Sequence, residues 1–534
     1  MGTVQALLRY GFLTVEGWLD CIFTPAWNPF HHFGALGFFY LWIVSATGFY
    51  IYVFFDTSTT AAYASVEALT ANWYLGGIMR SLHRYASDGM VLMMGVHVLR
   101  EFAFDRFRGP RWFTWVTGVP ILWLTMAAGI TGYWLVWDEL AQYVATRSME
   151  WLDWLPIFGE PIARNFLSAR HLDDRFFTLM MFLHIAVPLF LLVALWVHLN
   201  RVSRPRINPP RGLAIGTFAM MIGLSLVEPA VSHGPANLSA VPTTLNLDWY
   251  YLAVYPLMDV LSRGAVWGLA AFLTATLVLL PLMPPMRRPA AAVVDLANCN
   301  GCTRCEEDCP YVAITMGPRT DGKPFERQAV VDVSRCVACG ICAGACPTST
   351  PFRRGSDLTP GIDLPNPSIA MLRHRLDAAA AAVVGTPRIV VFGCDYGAAV
   401  KSLDTPHTAV VSLSCIGMLP PSFIDYALSR KLADGVFVTG CREGECVNRF
   451  GVQWTAARLA GERDPALRAR VPRDRLTCEW AASTDLTVLA AKVRAFAARI
   501  AALPAPMAAG IPEIAGAVPS EPSARPHAEA VENE

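Results

Sequence analysis

Four histidines in the first half of the sequence share one spacing. His83 and His97 are fourteen residues apart, as are His184 and His198, each pair within a long apolar run. On a helix, fourteen residues bring a side chain back to within roughly 40° of the same face and about 21 Å further along. Two such helices running in the same direction place one pair of imidazoles at each of two levels. Imidazoles are axial ligands of haem iron, so the spacing predicts two b-type haems, one held by His83 and His184 and one by His97 and His198.

Four glycines repeat this spacing on the neighbouring apolar runs. Gly34 and Gly48 are fourteen residues apart, and so are Gly118 and Gly132. Because glycine has no side chain, these positions let the backbone approach the rings and open a slot between helices. The alternative is that histidines inside a membrane only hydrogen-bond to neighbouring helices. Two matched histidine pairs with two matched glycine pairs favour the haem sites.

The second half of the sequence contains every cysteine except Cys21. The runs CNGCTRCEEDCP and CVACGICAGACP both follow C-x-x-C-x-x-C-x-x-x-C-P, in which the fourth cysteine of each run binds the other run's 4Fe-4S cluster. A zinc site is the alternative, but it would use four ligands and leave four thiolates unexplained. The pattern predicts two clusters, one on Cys299, Cys302, Cys305 and Cys346 and the other on Cys336, Cys339, Cys342 and Cys309.

Three further cysteines end strand-like runs, RIVVFGC, TAVVSLSC and GVFVTGC, and helical sequence follows. The carboxyl ends of parallel strands meet at one edge of a sheet, so these three cysteines are expected to converge there. A fourth, five residues after the last of them, can fold back to join them. Four thiolates suit a 2Fe-2S cluster, here on Cys394, Cys415, Cys441 and Cys446. Structural burial is the alternative, and it suits Cys478 better.

A membrane bundle and a soluble half are needed to position these residues. The sequence is 54% hydrophobic and 16% charged, and apolar segments mostly near the membrane-spanning length of about twenty residues recur in its first half. Six spans are predicted, at residues 33–55, 78–100, 113–137, 177–199, 213–228 and 264–284. No cleavable signal peptide is visible. The basic loops after the second, fourth and sixth spans then lie in the cytoplasm, as the positive-inside rule requires. The N-terminus and everything after residue 288 are expected on the same side.

The composition also excludes some functions. The formal net charge is zero and no basic stripe interleaves with aromatic residues, so nucleic acid is not an expected partner. No glycine-rich phosphate loop opens a helix after a strand, so neither nicotinamide nor flavin has an evident site. The chain is therefore expected to carry single electrons and to need a partner that converts them to or from hydride pairs.

Residues 30–285 resemble the cytochrome b subunit of bc-type quinol-oxidising complexes. The resemblance rests on MRSLHRYASDGMVLMMGVHVLR, on the second histidine pair and on GYWLVWDELAQYVATR. It implies that Arg80 and Arg100 bind haem propionates, with snorkelling at the membrane edge as the alternative. It also implies a surrounding of membrane lipid and allows a dimer through the cytochrome b domain.

The quinol site of that family carries a Pro-Glu-Trp-Tyr motif, and the matching place here reads LDWYY. The resemblance implies that Asp248 accepts a quinol proton, with Trp249 and Tyr250 beside it. Leu247 replaces the proline and aspartate replaces glutamate, so an aromatic anchor at the membrane interface is an equal alternative. Plastid-type relatives bind an extra haem through a cysteine where this chain has His32, so two haems are expected, not three.

Two resemblances cover the second half. The eight-cysteine pattern is similar to the bacterial two-cluster ferredoxin, and residues from about 387 to 500 resemble the small iron-sulfur delta subunit of methyl-viologen-reducing hydrogenases. Relatives of that subunit usually have a further cysteine where Gly397 stands here. Such domains also occur beside heterodisulfide-reductase-type flavoproteins. The resemblance thus implies a cytoplasmic flavoprotein of that type as partner, or a hydrogenase or dehydrogenase attached to one.

The predicted fold is multidomain: an α-helical membrane bundle of about six transmembrane helices, an α+β ferredoxin-like domain and an α/β parallel-sheet domain. Six divisions follow: a cytoplasmic segment (1–30), a cytochrome b-like di-haem domain (31–288), a ferredoxin domain (289–360), a linker (361–386), a delta-subunit-like domain (387–500) and a disordered tail (501–534).

Together these features predict an electron-transfer subunit of a quinone oxidoreductase complex in the cytoplasmic membrane of a bacterium or archaeon. The expected order of carriers is the 2Fe-2S cluster, the two 4Fe-4S clusters, the inner haem and the outer haem, with quinone beside one or both haems. Each electron carried inward costs about 2.3 kcal/mol per 100 mV, which favours outward flow and quinone reduction. One alternative is an electron conduit without a quinone site. The other is a redox sensor, for which the sequence shows no signalling domain.

Overall fold

The computed structural model describes residues 2–108, 111–157, 159–166, 172–201, 207–242, 244–283, 290–353, 358–442, 446–481 and 485–504. The predicted disordered tail lies outside the described residues from 505 onward, and so does the basic MRRP segment.

The first half of the described chain is helical, as the long apolar runs predict. Its helices are α1 (Gly2–Trp27), α2 (Phe33–Phe54), α3 (Ala62–Ala71), α4 (Ile78–Ala103), α5 (Trp112–Val136), α6 (Glu139–Leu152), α7 (Asp174–Arg201), α8 (Arg211–Val227), α9 (Val254–Val260) and α10 (Arg263–Leu279).

Within the described residues, four helical segments are long and apolar enough to cross a membrane: Phe33–Phe54, Trp112–Val136, Phe177–Asn200 and Arg263–Leu282. The other two predicted spans form helices that differ from these for visible reasons. α4 has 26 residues but carries charged side chains, among them Arg84 and Asp88, and α8 has 17 residues. The helical membrane half agrees with the sequence, whereas the count of six spans stays a prediction.

The bundle is organised around two helix pairs, in which α2 packs along α4 and α5 packs along α7. Each pair combines a helix that carries two of the spaced glycines with a helix that carries two of the spaced histidines. Gly34 lies beside His97 and Gly48 beside His83, so α2 and α4 run antiparallel. The packing of these helices therefore sets where the histidine rings lie.

The ferredoxin domain is built from two antiparallel strand pairs and two short helices, each of which contains the third cysteine of its run. These elements are β1 (Val293–Val294) paired with β4 (Ile362–Asp363), β2 (Ile314–Pro318) paired with β3 (Arg327–Val331), α11 (Arg304–Glu307) and α12 (Ile341–Ala345).

The C-terminal domain contains the parallel sheet that its sequence predicts. Four strands run parallel in the order β6-β5-β7-β8. The strands are β5 (Ile389–Cys394), β6 (Thr408–Leu413), β7 (Gly435–Gly440) and β8 (Leu476–Trp480), and the helices are α14 (Ser422–Ser429), α15 (Gly451–Ala460) and α16 (Leu486–Ala502). A short 3-10 turn at Val400–Leu403 follows β5 in place of an α-helix.

The two iron-sulfur domains share one hydrophobic core, which joins Ile314 of the ferredoxin domain to Val390 of the sheet. Residues 361–386, predicted as a linker, contribute to it. They form β4 and α13 (Ile369–Ala382), and Leu376 of α13 is fully buried in the shared core. This segment is structured because its apolar residues recur at helical spacing and find a surface to cover.

A buried ion pair also joins these two domains. Arg458 of α15 and Asp308 of the ferredoxin domain are 0% and 2% exposed, and the guanidinium donates to the carboxylate. Arg458 Nη1 also donates to the backbone oxygen of Gly417 at 2.9 Å, and Arg463 Nε donates to Asp308 at 2.7 Å. A charge buried this deeply is destabilising unless its partners stay in place.

Replacement of Arg458 by methionine is expected to lower the free energy of unfolding by about 3 kcal/mol, because Asp308 would stay buried with Arg463 alone. Lys492→Met is the control, since its ion pair with Glu479 is half-exposed and contributes less than about 1 kcal/mol. Urea denaturation of the purified holoproteins, monitored by the loss of iron-sulfur absorbance, measures the stability of both variants. Equal stability of the two variants would contradict this interpretation of the buried pair.

Candidate redox sites

The His83 and His184 rings face each other across the bundle. Their centroids are 6.3 Å apart, with an angle of 69° between the ring planes. A metal ion bonded to one nitrogen of each ring at about 2 Å holds the ring centres about 6 Å apart. The spacing of the two rings therefore fits one iron between them.

Hydrogen bonds to the backbone set the orientation of these rings. His83 Nδ1 lies 3.0 Å from the carbonyl oxygen of Val44, and His184 Nδ1 lies 3.1 Å from that of Ala128. A carbonyl oxygen only accepts, so Nδ1 carries the proton and donates it. Nε2 then keeps its lone pair for a metal, which is the usual arrangement of a ligating histidine.

Three threonines reinforce this orientation, and each directly precedes one of the spaced glycines. The hydroxyl oxygens of Thr47, Thr131 and Thr117 lie 3.2, 3.2 and 3.1 Å from Nδ1 of His83, His184 and His198 respectively. These threonines were not predicted from the sequence, although the repeated Thr-Gly dipeptide is a signal that could have found them.

The second histidine level opens onto a cavity of about 550 Å³. His97 and His198 line it together with Gly34 and Gly118, so the residues predicted to hold one haem do lie together. A cavity of this size suits a large organic group. We call this cavity the second-level cavity.

The spaced glycines give room to the imidazole rings themselves. A Cβ atom at Gly48 would lie 2.9 Å from Cε1 of His83, and one at Gly132 would lie 2.9 Å from Cε1 of His184. At the second level the fit is looser. A Cβ at Gly118 would lie 3.6 Å from Cε1 of His198, an ordinary van der Waals distance.

These distances predict that alanine is tolerated at one level and not at the other. Gly132→Ala should displace the His184 ring and lower the haem content by roughly half, because one of the two iron sites loses a ligand. Gly118→Ala is the matched control and should keep both haems. Pyridine haemochrome assays and low-temperature optical spectra measure the outcome. A Gly132→Ala protein with full haem content would contradict the assignment.

The two arginines predicted to bind propionates have different surroundings. Arg80 forms an ion pair with Glu67 at 3.3 Å and donates to Ser232 Oγ at 2.7 Å. Arg100 donates through Nε to Glu16 Oε1 at 2.7 Å, and it also lines the second-level cavity. Arg100 thus lies along this cavity, whereas Arg80 is three residues before His83, at the other histidine level, and its propionate role stays a prediction.

Further cations at the second-level cavity were not predicted from the sequence. Arg106 and Arg111 both line it, and each lies 3.5 Å from the carboxylate of Glu101. They belong to the run REFAFDRFRGPR, whose basic residues were used only to orient the membrane spans. Positive charge around this cavity suits the carboxylates of a haem.

Asp248, the predicted proton acceptor, has hydrogen bonds to both carboxylate oxygens. Oδ2 accepts from Arg84 Nη2 at 3.1 Å and also from the hydroxyl of Tyr133. Oδ1 accepts from the backbone N–H groups of Tyr251 at 2.7 Å and Leu252 at 3.2 Å. Protonation of Asp248 would break an ion pair, so these contacts favour a structural role for the carboxylate over proton transfer.

The two aromatic neighbours of Asp248 differ in exposure. Tyr250 is half-buried and donates to the carboxylate of Asp88, and burial raises its pKa, so the phenol stays protonated. Trp249 is 76% exposed, which suits an indole at a membrane interface. The aromatic anchor and the quinol site therefore both stay predictions for this segment.

The ferredoxin cysteines fall into the two predicted groups. Cys305 lies near Cys299, Cys302 and Cys346. A small second cavity is lined by the cysteines of the other group, Cys309, Cys336, Cys339 and Cys342. The fourth cysteine of each run thus lies with the other run, as a two-cluster arrangement requires.

The surroundings of these sulfurs suit metal ligands. Burial raises the pKa of the Cys305 and Cys339 thiols to about 12, so a thiolate is stable there only when a metal binds it. Backbone N–H groups of Ala313 and Ala292 point at the sulfurs of Cys309 and Cys336 at 3.3 and 3.4 Å. Such hydrogen bonds to cluster sulfurs tune the reduction potential.

The four cysteines of the C-terminal domain converge at the edge of the sheet. Cys394 ends β5, and its sulfur lies 3.9 Å from that of Cys441. Cys446 is in side-chain contact with both Cys415 and Cys441. Two thiolates bonded to one tetrahedral metal at about 2.3 Å lie about 3.8 Å apart. We call this group the four-cysteine site, and its sulfur spacing fits an iron-sulfur cluster.

Two glycines near the four-cysteine site have visible steric roles. A Cβ at Gly451 would lie 2.4 Å from the sulfur of Cys415, so α15 can begin here only with glycine. A Cβ at Gly397 would lie 3.0 Å from the carbonyl carbon of Gly440. Gly397, where relatives have another cysteine, thus packs against the end of β7.

The four-cysteine site and Cys478 predict different outcomes of cysteine removal. Cys415→Ala should lose the iron of one cluster, whereas Cys478→Ala should keep it, because the charged neighbours of Cys478 are Glu479 and Arg473 and not other cysteines. Iron and sulfide analysis with EPR spectra of the reduced protein measures the difference. Full iron content in both variants would favour the alternative of structurally buried cysteines.

Comparison with known families agrees with these three groups of residues. Residues 19–204 match the family model described as cytochrome b/b6/petB. This part of the chain is thus similar to cytochrome b. Residues 298–350 match the 4Fe-4S dicluster domain, and residues 389–504 match the delta subunit of methyl-viologen-reducing hydrogenase. These matches confirm the three resemblances and indicate a membrane electron-transfer protein that binds haem and iron-sulfur clusters.

One solved structure, described as "Hyperthermophilic respiratory Complex III", contains a chain that is 20% identical to this one. The match covers 48% of this chain and 76% of that chain, with a TM-score of 0.39.

Proposed function

We propose that this chain is the membrane-bound electron-transfer subunit of a quinone oxidoreductase complex. It would exchange electrons between a cytoplasmic flavoprotein of the heterodisulfide-reductase type, or a hydrogenase or dehydrogenase attached to one, and the quinone pool. When bound, two b-type haems, two 4Fe-4S clusters and a 2Fe-2S cluster supply one-electron redox chemistry. The protein's own residues place and tune these groups.

One observation carries the proposal. His83 and His184 face each other at one level of the bundle, and His97 and His198 line the second-level cavity together with residues of the iron-sulfur half, including Cys446. This arrangement supports a continuous path from cytoplasmic clusters into the membrane. His83 with His184 would then lie toward the outer surface, and His97 with His198 toward the cytoplasm.

The proposed topology has six spans, with the N-terminal segment and the iron-sulfur domains in the cytoplasm. Because an electron that moves outward is assisted by the membrane potential, by about 2.3 kcal/mol per 100 mV, quinone reduction is the proposed direction. Reduction of the quinone to quinol takes up protons as well as electrons, so this direction also needs a path that delivers protons from water to the quinone.

The second candidate is an electron conduit with no quinone site of its own. The contacts of Asp248 favour this candidate, since Arg84, Tyr133 and two backbone N–H groups already engage both of its oxygens. Catalysis on quinone would then belong to a partner subunit. Asp248 therefore separates the two candidates.

Reoxidation of the reduced haems by a short-chain ubiquinone or menaquinone analogue tests the proposal. The purified complex should be reoxidised in a saturable way, and Asp248→Ala should slow the reaction at least about tenfold, as general acid–base groups usually contribute. Asp259→Ala is the control, because Asp259 lies in a half-exposed ion pair with Arg147. If neither quinone reoxidises the haems, the conduit is the correct function.

A further inference from the structure

The C-terminal domain contacts the bundle through the loop and helix that follow Cys446. Cys446, Arg449 and Phe450 line the second-level cavity together with His97 and His198. Among the described cysteines, Cys446 alone contributes to this lining. A residue of the four-cysteine site thus borders the space that would hold the haem at this level.

Two polar contacts hold this domain against the bundle beside the cysteines. Arg111 Nη2 donates to the backbone oxygen of Val447 at 2.8 Å, one residue after Cys446. Arg442, one residue after Cys441, forms an ion pair with Asp20 of α1. Both contacts involve residues next to cysteines of the four-cysteine site, so the position of that site is tied to the bundle.

The opposite side of the four-cysteine site faces the ferredoxin domain. The α12 helix packs so tightly on the turn after Cys415 that a Cβ at Gly344 would lie 2.1 Å from the oxygen of Gly417, and Cys446 lies near Cys339. The four-cysteine site therefore lies between the ferredoxin cysteines and the second-level cavity.

We propose that the four-cysteine site is the last carrier between the ferredoxin domain and the His97–His198 haem. This order differs from the one expected from sequence, in which the four-cysteine site came first and the ferredoxin clusters delivered electrons to the haem. The proposal rests on the proposed function. The four-cysteine site would hold a cluster that gives up one electron, His97 and His198 would hold a haem that accepts it, and no bond would form or break. The electrons come from a low-potential one-electron donor through the ferredoxin domain.

A competing route leads through Tyr311. This residue follows Cys309 by two positions, lines the second-level cavity and donates from its hydroxyl to Asn448 Oδ1 at 3.1 Å. Electrons taking this route would pass directly from the ferredoxin domain to the haem. The two routes share the cavity but differ in the residue that reaches it.

Pulsed EPR of the unmodified full-length holoprotein, freeze-quenched while the clusters are reduced and the haem is still ferric, tests the order, and Cys415→Ala serves only to identify which signal belongs to the four-cysteine site. A nearby ferric low-spin haem speeds the spin relaxation of a reduced cluster, and the effect falls steeply with distance. We expect the strongest acceleration for the signal that Cys415→Ala removes, and weaker acceleration for both ferredoxin signals. Strongest acceleration of a ferredoxin signal would overturn the proposal.

Rapid-mixing reduction with photoreduced methyl viologen tests the route itself. Cys446→Ala should slow reduction of the His97–His198 haem at least tenfold while both ferredoxin clusters are still reduced, and Tyr311→Leu should stay within twofold of the unmodified protein. Unchanged haem spectra and ferredoxin EPR signals show that each variant is folded. If Tyr311→Leu slows the haem and Cys446→Ala does not, the direct route is correct.

If Cys446→Ala does not fold, the relaxation measurement on the unmodified protein still decides the order. The outcome is also independent of quinone chemistry. Loss of quinone reoxidation would overturn the proposed function but leave the measured order unchanged, and a wrong order would leave quinone reoxidation intact.

Discussion

The bundle depends on a hydrogen bond between an imidazole N–H and a backbone carbonyl of the opposing helix. His83 donates to Val44 and His184 to Ala128, and each carbonyl lies one helical turn before a glycine. Any side chain at that glycine would occupy the space of the ring. The distance between the paired helices, the tautomer of the histidine and the free Nε2 all follow from this contact.

The iron-sulfur half is held together in a different way, by burial of apolar side chains. Apolar residues of the ferredoxin domain, α13 and the parallel sheet form one core, and the Arg458–Asp308 pair crosses the same boundary. Neither iron-sulfur domain can shift relative to the other without exposing this surface. The distances between their cysteines are thus fixed by packing, while the distance to the bundle is fixed by a few polar contacts.

Sequence alone located most of the candidate ligands because their spacing is local. Fourteen residues on a helix, or two residues in a C-x-x-C loop, set the relation between side chains before any tertiary contact forms. The partners of Asp248 could not be found in this way, since Arg84 and Tyr133 come from other helices. Nor could the lining of the second-level cavity by Cys446, because docking of the C-terminal domain on the bundle leaves no periodic signal. The role of residues 361–386, predicted as a linker, could not be found either, because the surface that Leu376 covers belongs to residues distant in the sequence.

The ion pair between Asp20 and Arg442 joins positions 422 residues apart in the chain. A ribosome completes α1 and the rest of the bundle long before it makes the arginine that completes this contact. The bundle must therefore hold together during synthesis without the iron-sulfur domains, which can dock only once nearly the whole polypeptide exists. Biogenesis of the protein thus proceeds from the bundle to the iron-sulfur domains, with the junction between the two halves among the last parts to form.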